Sequence, residues 1–424
     1  MSESCSNSRH FSWLMKSCFP NSNPNQNYHT NIHQSITTTT TTTAAATDIS
    51  SLPDDLLLEC LSRVPSSSLP SLSLVSHRWS RLLLSPSFFH LRRHLHLLHH
   101  SLFALSSTTL QSATLLFDDD TTCSSWVLHP FPFLPLHSLS FANFQSFLSQ
   151  ARLSAIGPRI FIIGRNAMLR YDTWTRTLLS CSPMLFPRKK FASAVVSAKI
   201  YVTGGAYSTP TQSATVDEYD PETDTWRVVS HAPRVRYGCI GASVDGVFYV
   251  IGGLKMGGES AARAAGRREA HVLYASSMDL YDVEARAWLR SRALPGGGCV
   301  VGACASMGHV YILANHAVEL SFWRFDARRK SRGFGEWSRI KSPPLPGQVR
   351  VDSRVKFSCV GIGDKVCLVQ VMGCIDDLLR RSGRPLRGFK QSLVLVYNTD
   401  SGDWTRGPDL PDVIPRAACV HFQS

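Results

Sequence analysis

The sequence lacks the signatures of a membrane, secreted or metal-binding protein. No uninterrupted run of about 18 apolar residues occurs, so we expect no transmembrane helix. The amino terminus has no basic segment followed by an apolar run, which argues against a secretory signal. Twelve cysteines are present, but none forms a CxxC pair. We therefore expect free thiols in a reducing compartment and no metal site.

Motifs that commonly identify an enzyme are also missing. The sequence contains no HExxH pattern, no phosphate-binding loop and no nucleophile elbow. Acidic residues are few, because 31 aspartates and glutamates face 44 lysines and arginines, a formal net charge of +13. Such a charge favours nucleic acid, a membrane surface or an acidic protein as partner. The basic residues are spread along the chain without interleaved aromatics, which weakens the case for nucleic acid.

Residues 1–49 differ in composition from the rest of the chain. They are rich in serine, threonine and asparagine, with seven consecutive threonines over Thr37–Thr43. This composition is typical of a disordered tail, and it also partly resembles an organelle transit peptide. We expect a disordered tail over 1–49, with organelle targeting as the alternative.

A helical pattern begins after this tail, over residues 50–95, and we call this segment the helical module. Pro53 followed by two aspartates suits the first turn of a helix, because acidic side chains favour the positive end of the helix dipole. Apolar residues recur on one helical face until Pro65, and a second apolar set over 69–83 predicts two more short helices. A segment of about 45 residues cannot bury so many leucines alone. It either packs on the rest of the chain or presents an apolar surface to another protein.

The residues of the helical module resemble the F-box family. Leu-Pro at 52–53, Val-Ser at 75–76 and Trp79 follow in the order and spacing of the F-box pattern. The resemblance implies a short all-α unit of three helices that binds a Skp-type adaptor and, through it, the cullin of an SCF (Skp–cullin–F-box) ubiquitin ligase. Apolar anchors with one aromatic residue suit the core of such an interface. The residues expected to face the adaptor or to support that interface are Leu52, Pro53, Leu56, Leu61, Leu74, Val75 and Trp79.

A basic, histidine-rich stretch follows the helical module. We expect a helix to continue from Phe88 to His100, with a helical linker over 96–100. His96 and His100 would then share a face, a spacing that can hold a metal. No third ligand is near in sequence, so we expect a solvated face instead.

Beyond residue 100, short strand-like runs broken by glycine and proline repeat along the chain. In the clearest units an apolar run ends in a glycine pair, and a Tyr-Asp pair follows. A tryptophan then comes seven residues after the tyrosine, as from Tyr219 to Trp226 and from Tyr281 to Trp288. Weaker copies complete six units, near 101–136, 152–187, 188–234, 236–296, 300–347 and 354–411.

These repeats resemble the kelch family. The resemblance implies an all-β, six-bladed propeller over 101–424, so that the whole chain is a multidomain protein. Glycine permits tight turns between strands, and large aromatic side chains fill the space between blades. The residues expected in these structural roles are Gly204, Gly205, Tyr219, Asp220, Trp226, Gly252, Gly253, Tyr281, Asp282, Trp288, Trp337, Tyr397 and Trp404.

The first unit lacks the strand with which the others begin. In other units that strand starts with an arginine, as in Arg188–Val196. Residues 415–422 have the same pattern, but no further unit follows them to form a blade. We predict that 415–422 completes the first blade, because this pairing leaves no open sheet edge.

Three insertions fall between the second and third strands of their units, at 206–214, 254–277 and 374–392. Strands in a blade alternate in direction, so these loops are expected on one rim, where long loops on a rigid scaffold commonly carry recognition. The alternative is that they are solvated and contact nothing. The basic residues expected there, as a candidate surface for an acidic or phosphorylated protein, are Arg263, Arg267, Arg268, Arg380, Arg381, Arg384, Arg387 and Lys390.

The two resemblances together imply a non-catalytic substrate receptor of an SCF ubiquitin ligase, in the cytoplasm or nucleus, with no cofactor. Their pairing is typical of plants, and joining ligase to target acts through effective concentration. An enzyme is the second class, since some kelch propellers carry copper or iron. However, no glutamate here is followed by aspartate four residues later, so the Glu-x-x-x-Asp-x-x-x-His spacing of iron-dependent plant kelch proteins is absent. A kelch scaffold or a nucleic-acid-associated protein acting outside a ligase is the remaining alternative.

Overall fold

A computed structural model describes ten segments of the chain, which are 49–117, 125–132, 141–205, 214–255, 276–297, 299–315, 320–329, 333–345, 355–373 and 392–423. The tail predicted over 1–49 lies outside these segments except for its last residue. The chain divides into two units, Met1–Leu52 and Pro53–Ser424. In the first, the described part contains a 3₁₀ turn over Ile49–Ser51. None of the described helices has the length and apolarity needed to span a bilayer.

Four helices open the second unit, α1 (Asp54–Ser62), α2 (Leu69–Leu72), α3 (His77–Leu83) and α4 (Pro86–His94). The sequence predicted three helices in the module and a further helix from Phe88 to His100, and α4 is that further helix, beginning two residues earlier and ending at His94. Serine side chains begin the last two, because the hydroxyl of the preceding residue accepts a backbone N–H in each, which satisfies a free donor of the first turn. The buried leucines and Phe88 then form the core of the module.

The predicted helical linker over 96–100 is wrong, because α4 ends at His94. His96 takes a left-handed conformation with φ +55°. The Leu97 N–H donates to the Arg92 carbonyl at 2.9 Å, and the His96 N–H to the Arg93 carbonyl at 3.2 Å, which is a Schellman motif. His96 and His100 therefore do not share a helical face.

Six four-stranded antiparallel sheets form the blades of a propeller. The strands of each blade are given from the innermost outward. Blade 1 consists of β26 (Ala417–Gln423), β1 (His100–Ser106), β2 (Gln111–Phe117) and β3 (Val127–Pro130), and blade 2 of β4 (Arg152–Ile156), β5 (Arg159–Ile163), β6 (Met168–Asp172) and β7 (Leu178–Cys181). Blade 3 consists of β8 (Ala192–Val196), β9 (Lys199–Thr203), β10 (Thr215–Asp220) and β11 (Thr225–His231).

Blades 4 to 6 follow the same order, with one small extra ladder. Blade 4 consists of β13 (Ile240–Val244), β14 (Val247–Ile251), β16 (Ser277–Asp282) and β17 (Ala287–Ala293), and blade 5 of β18 (Cys299–Ser306), β19 (His309–Asn315), β20 (Leu320–Asp326) and β21 (Trp337–Ile340). Blade 6 consists of β22 (Lys356–Ile362), β23 (Lys365–Met372), β24 (Val394–Asn398) and β25 (Trp404–Arg406). The extra ladder pairs β12 (Arg236–Tyr237) with β15 (Leu254–Lys255).

The first blade is assembled from both ends of the propeller segment. Strand β26 pairs antiparallel with β1 from His100 opposite Gln423 to Ser106 opposite Ala417. This is the pairing that the sequence predicted. The innermost strands then follow one another around the ring as β26, β4, β8, β13, β18 and β22, with β22 beside β26 again. The ring therefore closes through the last strand of the chain.

The seven-residue interval between tyrosine and tryptophan has a direct structural meaning. Tyr219 lies opposite Trp226 across the β10–β11 hairpin, and their ring centroids are 5.0 Å apart. Tyr281 and Trp288 pair in the same way, and so do Tyr397 and Trp404. Because such cross-strand aromatic pairs stabilise a hairpin, the interval records the register of the two outer strands.

The repeat tryptophans also join neighbouring blades. Trp226 Nε1 donates to the carbonyl of Ser182, which precedes blade 3, at 2.9 Å. Trp404 Nε1 donates to the Lys341 carbonyl at 2.7 Å, and Trp126 Nε1 to the Pro408 carbonyl at 2.9 Å. The bond from Trp126 spans the junction of blades 1 and 6, so it supports ring closure.

The glycine pairs are required by both conformation and space. Gly204 and Gly205 have φ of +73° and +85°, a region that favours glycine. A β-carbon on Gly204 would lie 2.6 Å from the Arg236 carbonyl oxygen. The buried Arg188 side chain holds this turn, since its Nη1 donates to the Gly204 carbonyl at 2.9 Å and its Nη2 to Asp217 at 2.9 Å. Gly252 and Gly253 repeat the arrangement in blade 4.

The aspartates of the Tyr-Asp pairs shape the hairpin turns. Asp220 accepts the Glu222 N–H at 3.0 Å and pairs with Lys199 at 2.8 Å. Asp282 is buried, and it accepts the Ala285 N–H at 3.0 Å. Both side chains therefore have structural contacts.

Candidate adaptor-binding and target-binding surfaces

Three large apolar side chains of the helical module are exposed. Leu56 of α1 is 54% exposed, and Leu74 and Val75, between α2 and α3, are 73% and 59% exposed. Elsewhere in the described chain exposed apolar side chains are mostly less accessible, and the module itself buries or partly buries its other leucines. We call Leu56, Leu74 and Val75 the apolar surface. Apolar side chains this exposed are candidates for contact with a partner protein.

An ion pair joins the two helices next to the apolar surface. Arg78 of α3 contacts Asp54 at the start of α1, with Nε 2.8 Å and Nη2 2.7 Å from the same carboxylate oxygen. Ser76 caps α3 by accepting the Trp79 N–H at 3.2 Å. These contacts fix the start of α1, which carries Leu56, and the start of α3, which follows shortly after Leu74 and Val75.

The other predicted adaptor residues differ in exposure. Pro53 is exposed, and Leu52 and Trp79 are partly buried. Leu61 is only 3% exposed, so it supports the module from within and presents no surface to a partner. The role of all seven residues in binding an adaptor stays a prediction.

A buried arginine, which the sequence reasoning did not single out, holds the module together. Arg92 of α4 is fully buried, and its Nη1 donates to the carbonyl of Val64 at 2.8 Å. Its Nη2 bonds the hydroxyl of Ser66 and the carbonyl of Leu97. Burial lowers the pKa of this guanidinium. The arginine thus ties α4 to the segment after α1 and to the entry into the propeller.

The helical module contacts the propeller at a turn of blade 2. A β-carbon on Gly157, between β4 and β5, would lie 2.7 Å from Phe89 Cζ of α4. A side chain at this position would force the Phe89 ring to move, and the φ of +54° also favours glycine. Strand β4 begins at one face of the propeller and ends at the other, so this contact lies at the face where the innermost strands end.

A cavity of about 1020 Å³ opens at the other face, where the innermost strands begin. We call it the axial cavity and this face the entry face. Helix α5 (Phe141–Gln150), which the sequence did not predict, contributes Leu148 and Ser149 to its wall. The described lining includes Arg152, Lys190, Lys356 and Arg416, and no aspartate or glutamate. The charged side chains of the described lining are therefore all cationic.

The basic residues predicted on the rim, from Arg263 to Lys390, all lie outside the described residues. The described strands on either side of the three insertions end or begin at the entry face. The rim hypothesis itself stays a prediction.

In the described segments, no three His, Cys, Asp or Glu side chains are grouped so that they could hold a metal ion. Two thiols do meet, since Cys359 Sγ lies 3.3 Å from Cys304 Sγ across two blades. The neighbouring thiol and burial raise the pKa of Cys304 well above its usual value. Because the thiolate is the reactive form, Cys304 is a poor nucleophile.

Comparison with known families agrees with this architecture. The F-box domain family matches residues 49–91, and the Kelch motif matches residues 187–232, which contain blade 3. An F-box/kelch-repeat protein of Arabidopsis thaliana is 60% identical over 426 residues, which cover 99% of each chain. The chain belongs to the F-box/kelch-repeat family. The F-box protein AFR of the same plant is 30% identical over 191 residues, 44% of this chain and 50% of that protein.

Membership gives the two parts their general roles. F-box/kelch proteins are generally substrate adaptors of SCF ligases, and they are typically non-catalytic. The F-box implies binding of a Skp-type adaptor. In this frame the apolar surface of the F-box and the entry face of the propeller are the two candidate binding surfaces.

Proposed function

We propose that this protein is the substrate receptor of an SCF ubiquitin ligase. The F-box binds a Skp-type adaptor through the apolar surface, and the propeller binds the protein to be ubiquitinated. The observation that carries the proposal is the exposure of Leu56, Leu74 and Val75 within an F-box whose other leucines are mostly buried or partly buried. Burying such side chains against a partner is favourable by about 25 cal/mol per Å² of apolar area.

The proposed mechanism is proximity and involves no catalytic group of the chain. A target on the propeller and a ligase on the F-box meet at a high effective concentration. The Phe89–Gly157 contact lies at the face opposite the axial cavity, so the F-box attaches away from the entry face. The ligase and the target can then be bound at the same time. We place this activity in the cytoplasm or nucleus, where free thiols stay reduced.

The test is binding of the full chain to a purified Skp-type adaptor, measured by calorimetry. The variant Leu56→Ser/Leu74→Ser/Val75→Ser should weaken binding at least about tenfold, because it removes the apolar core of the interface. The matched control is Leu128→Ser/Leu179→Ser/Val228→Ser, whose side chains are 45%, 46% and 40% exposed on outer strands of the propeller. The control should bind like the unmodified chain.

Two results would contradict the proposal. One is an intact chain that does not bind the adaptor. The other is a triple serine variant of the F-box that binds as tightly as the control. Circular dichroism of each variant checks that the propeller is folded.

A further inference from the structure

The four basic side chains of the axial cavity lie on consecutive blades. Lys356 comes from blade 6, Arg416 from blade 1, Arg152 from blade 2, and Lys190 precedes the innermost strand of blade 3. The innermost strands of these blades are neighbours in the ring. The four residues therefore form a cationic arc over about half of the mouth. Blades 4 and 5 contribute no charged residue to the described lining.

None of these four cations forms an ion pair with a described carboxylate. Arg152 is partly buried, and its Nε donates to the Phe191 carbonyl at 3.2 Å. Burial lowers the pKa of its guanidinium, because charge is costly to remove from water. Lys190 lies over the Tyr237 ring at 5.2 Å, and Lys356 and Arg416 are exposed. A cluster of like charges without counter-charges is a surface that gains from an anionic ligand.

The opposite side of the mouth is apolar, and a β-bulge shapes it. The pairing of β18 with β19 shifts between Val300 and Gly302, so Val301 is the extra residue of the bulge. Bulges redirect side chains and are common beside functional sites. Val301 lines the cavity and is 36% exposed, and Ile240 lines the same side. An apolar side chain of a ligand would therefore have a place across from the cationic arc.

We propose that the mouth of the axial cavity binds an acidic segment of the target protein, with several carboxylates on the cationic arc and an apolar side chain against Val301. This inference rests on the proposed function and names the class of its substrate. Cations that come from four separate blades suit several anionic groups spaced along a chain. A single phosphate would need them to converge on one point, as a bidentate arginine cluster does.

The first experiment selects ligands without assuming a sequence. A phage library of random dodecapeptides is panned against the full chain bound to its Skp-type adaptor. The recovered peptides should be enriched in aspartate and glutamate, together with one apolar residue. Panning against Lys356→Glu/Arg416→Glu should lose that enrichment, because two of the four cations become anions.

The matched control is Arg286→Glu/Arg290→Glu. Both arginines are exposed; Arg286 lies in the turn between β16 and β17 at the face opposite the cavity, and Arg290 lies within β17, the outermost strand of blade 4. Arg286 has φ +51°, so it shares the left-handed backbone of Arg416, at φ +53°. This control should select the same acidic peptides as the unmodified chain, although its net charge equals that of the mouth variant.

Synthetic versions of one selected peptide are then compared by fluorescence anisotropy, which measures how much carboxylates, a phosphate and the apolar contact each contribute to binding. Replacing its acids by Asn and Gln should weaken binding at least about tenfold, and Val301→Ser should weaken it roughly threefold. A version with one phosphoserine as its only anion should bind weakly. Preference for that version, equal binding of the amide version, or selection without acidic enrichment would each overturn the proposal.

Binding to the Skp-type adaptor distinguishes failure of the acidic-segment proposal from failure of the proposed receptor function. If the chain binds the adaptor but shows none of these preferences, the acidic-segment proposal is wrong and the receptor proposal stands. If the adaptor does not bind, the receptor proposal is the one that fails.

Discussion

His100 Nδ1 and His421 Nε2 lie 2.9 Å apart, and their rings stack at a centroid distance of 5.0 Å. His100 begins the first strand of the propeller, and His421 belongs to the last. One nitrogen must donate and the other accept, so the pair requires at least one neutral ring. Burial, together with His100, lowers the pKa of His421 to about 3.

This pair makes ring closure sensitive to acid. The unfolded chain binds a proton at His421 below a pH of about 6.5, whereas the folded chain does not until about pH 3. The contribution of His421 to the free energy of unfolding is therefore fully present above about pH 6.5, and it is lost progressively as the pH falls toward 3. The unfolding free energy of the unmodified chain should fall between pH 7.5 and pH 5.5. In the variant His421→Gln we expect this fall to be smaller by about 1 kcal/mol. Urea unfolding at the two pH values measures it, and an unchanged loss would contradict the assignment.

Removing residues 413–424 should destabilise the whole propeller. The deletion takes away β26, exposes β1, and opens the ring between blades 6 and 2. A milder change, Phe422→Ala, keeps the strand and should cost about 3 kcal/mol, because Phe422 is buried. Differential scanning calorimetry compares both with the full chain. A truncated chain that melts like the full one would show that closure does not depend on β26.

Asp217→Asn should be strongly destabilising, because Arg188 and Asp217 are both fully buried and 2.9 Å apart. The substitution leaves an uncompensated cation in the interior, at a cost of about 3–5 kcal/mol. The control is Asp403→Asn in the exposed pair with Lys341, which should change stability by less than about 1 kcal/mol. Denaturant midpoints give both values. Similar effects at the two sites would argue against the buried pair as a support of the glycine turn.

Trp404→Phe and Trp337→Phe should differ in cost, although both replace a repeat tryptophan. Trp404 Nε1 donates to the Lys341 carbonyl, whereas Trp337 Nε1 has no partner among the described residues. The first substitution should cost about 1 kcal/mol more than the second, which is the net value of one hydrogen bond. Thermal unfolding measures the difference. Equal costs would mean that ring packing alone explains these tryptophans.

The fold was predictable because its signals are local and repeated. The interval from Tyr219 to Trp226 is set by one hairpin, so it recurs in the sequence wherever that hairpin recurs. Even the 12-residue interval from Phe325 to Trp337 ends in the same cross-strand pairing. The closing strand was predictable for the complementary reason, since 415–422 had the pattern of a first strand and no blade to join.

The candidate target site was not predictable in the same way. Arg152, Lys190, Lys356 and Arg416 are far apart in sequence, and only the ring brings them to one mouth. The Val301 bulge depends on the register of two strands, which composition does not reveal. The helix predicted over 96–100 failed because a histidine took the left-handed position that usually marks a glycine.

The order of the strands also sets an order in time. Because β26 follows every other strand in the chain, a ribosome completes the F-box and five whole blades before it makes the strand that finishes blade 1. The same late strand follows directly after Arg416 of the cationic arc. A nascent or prematurely terminated chain would thus carry a complete F-box on an open ring, and the mouth of the axial cavity is complete only when synthesis reaches β26.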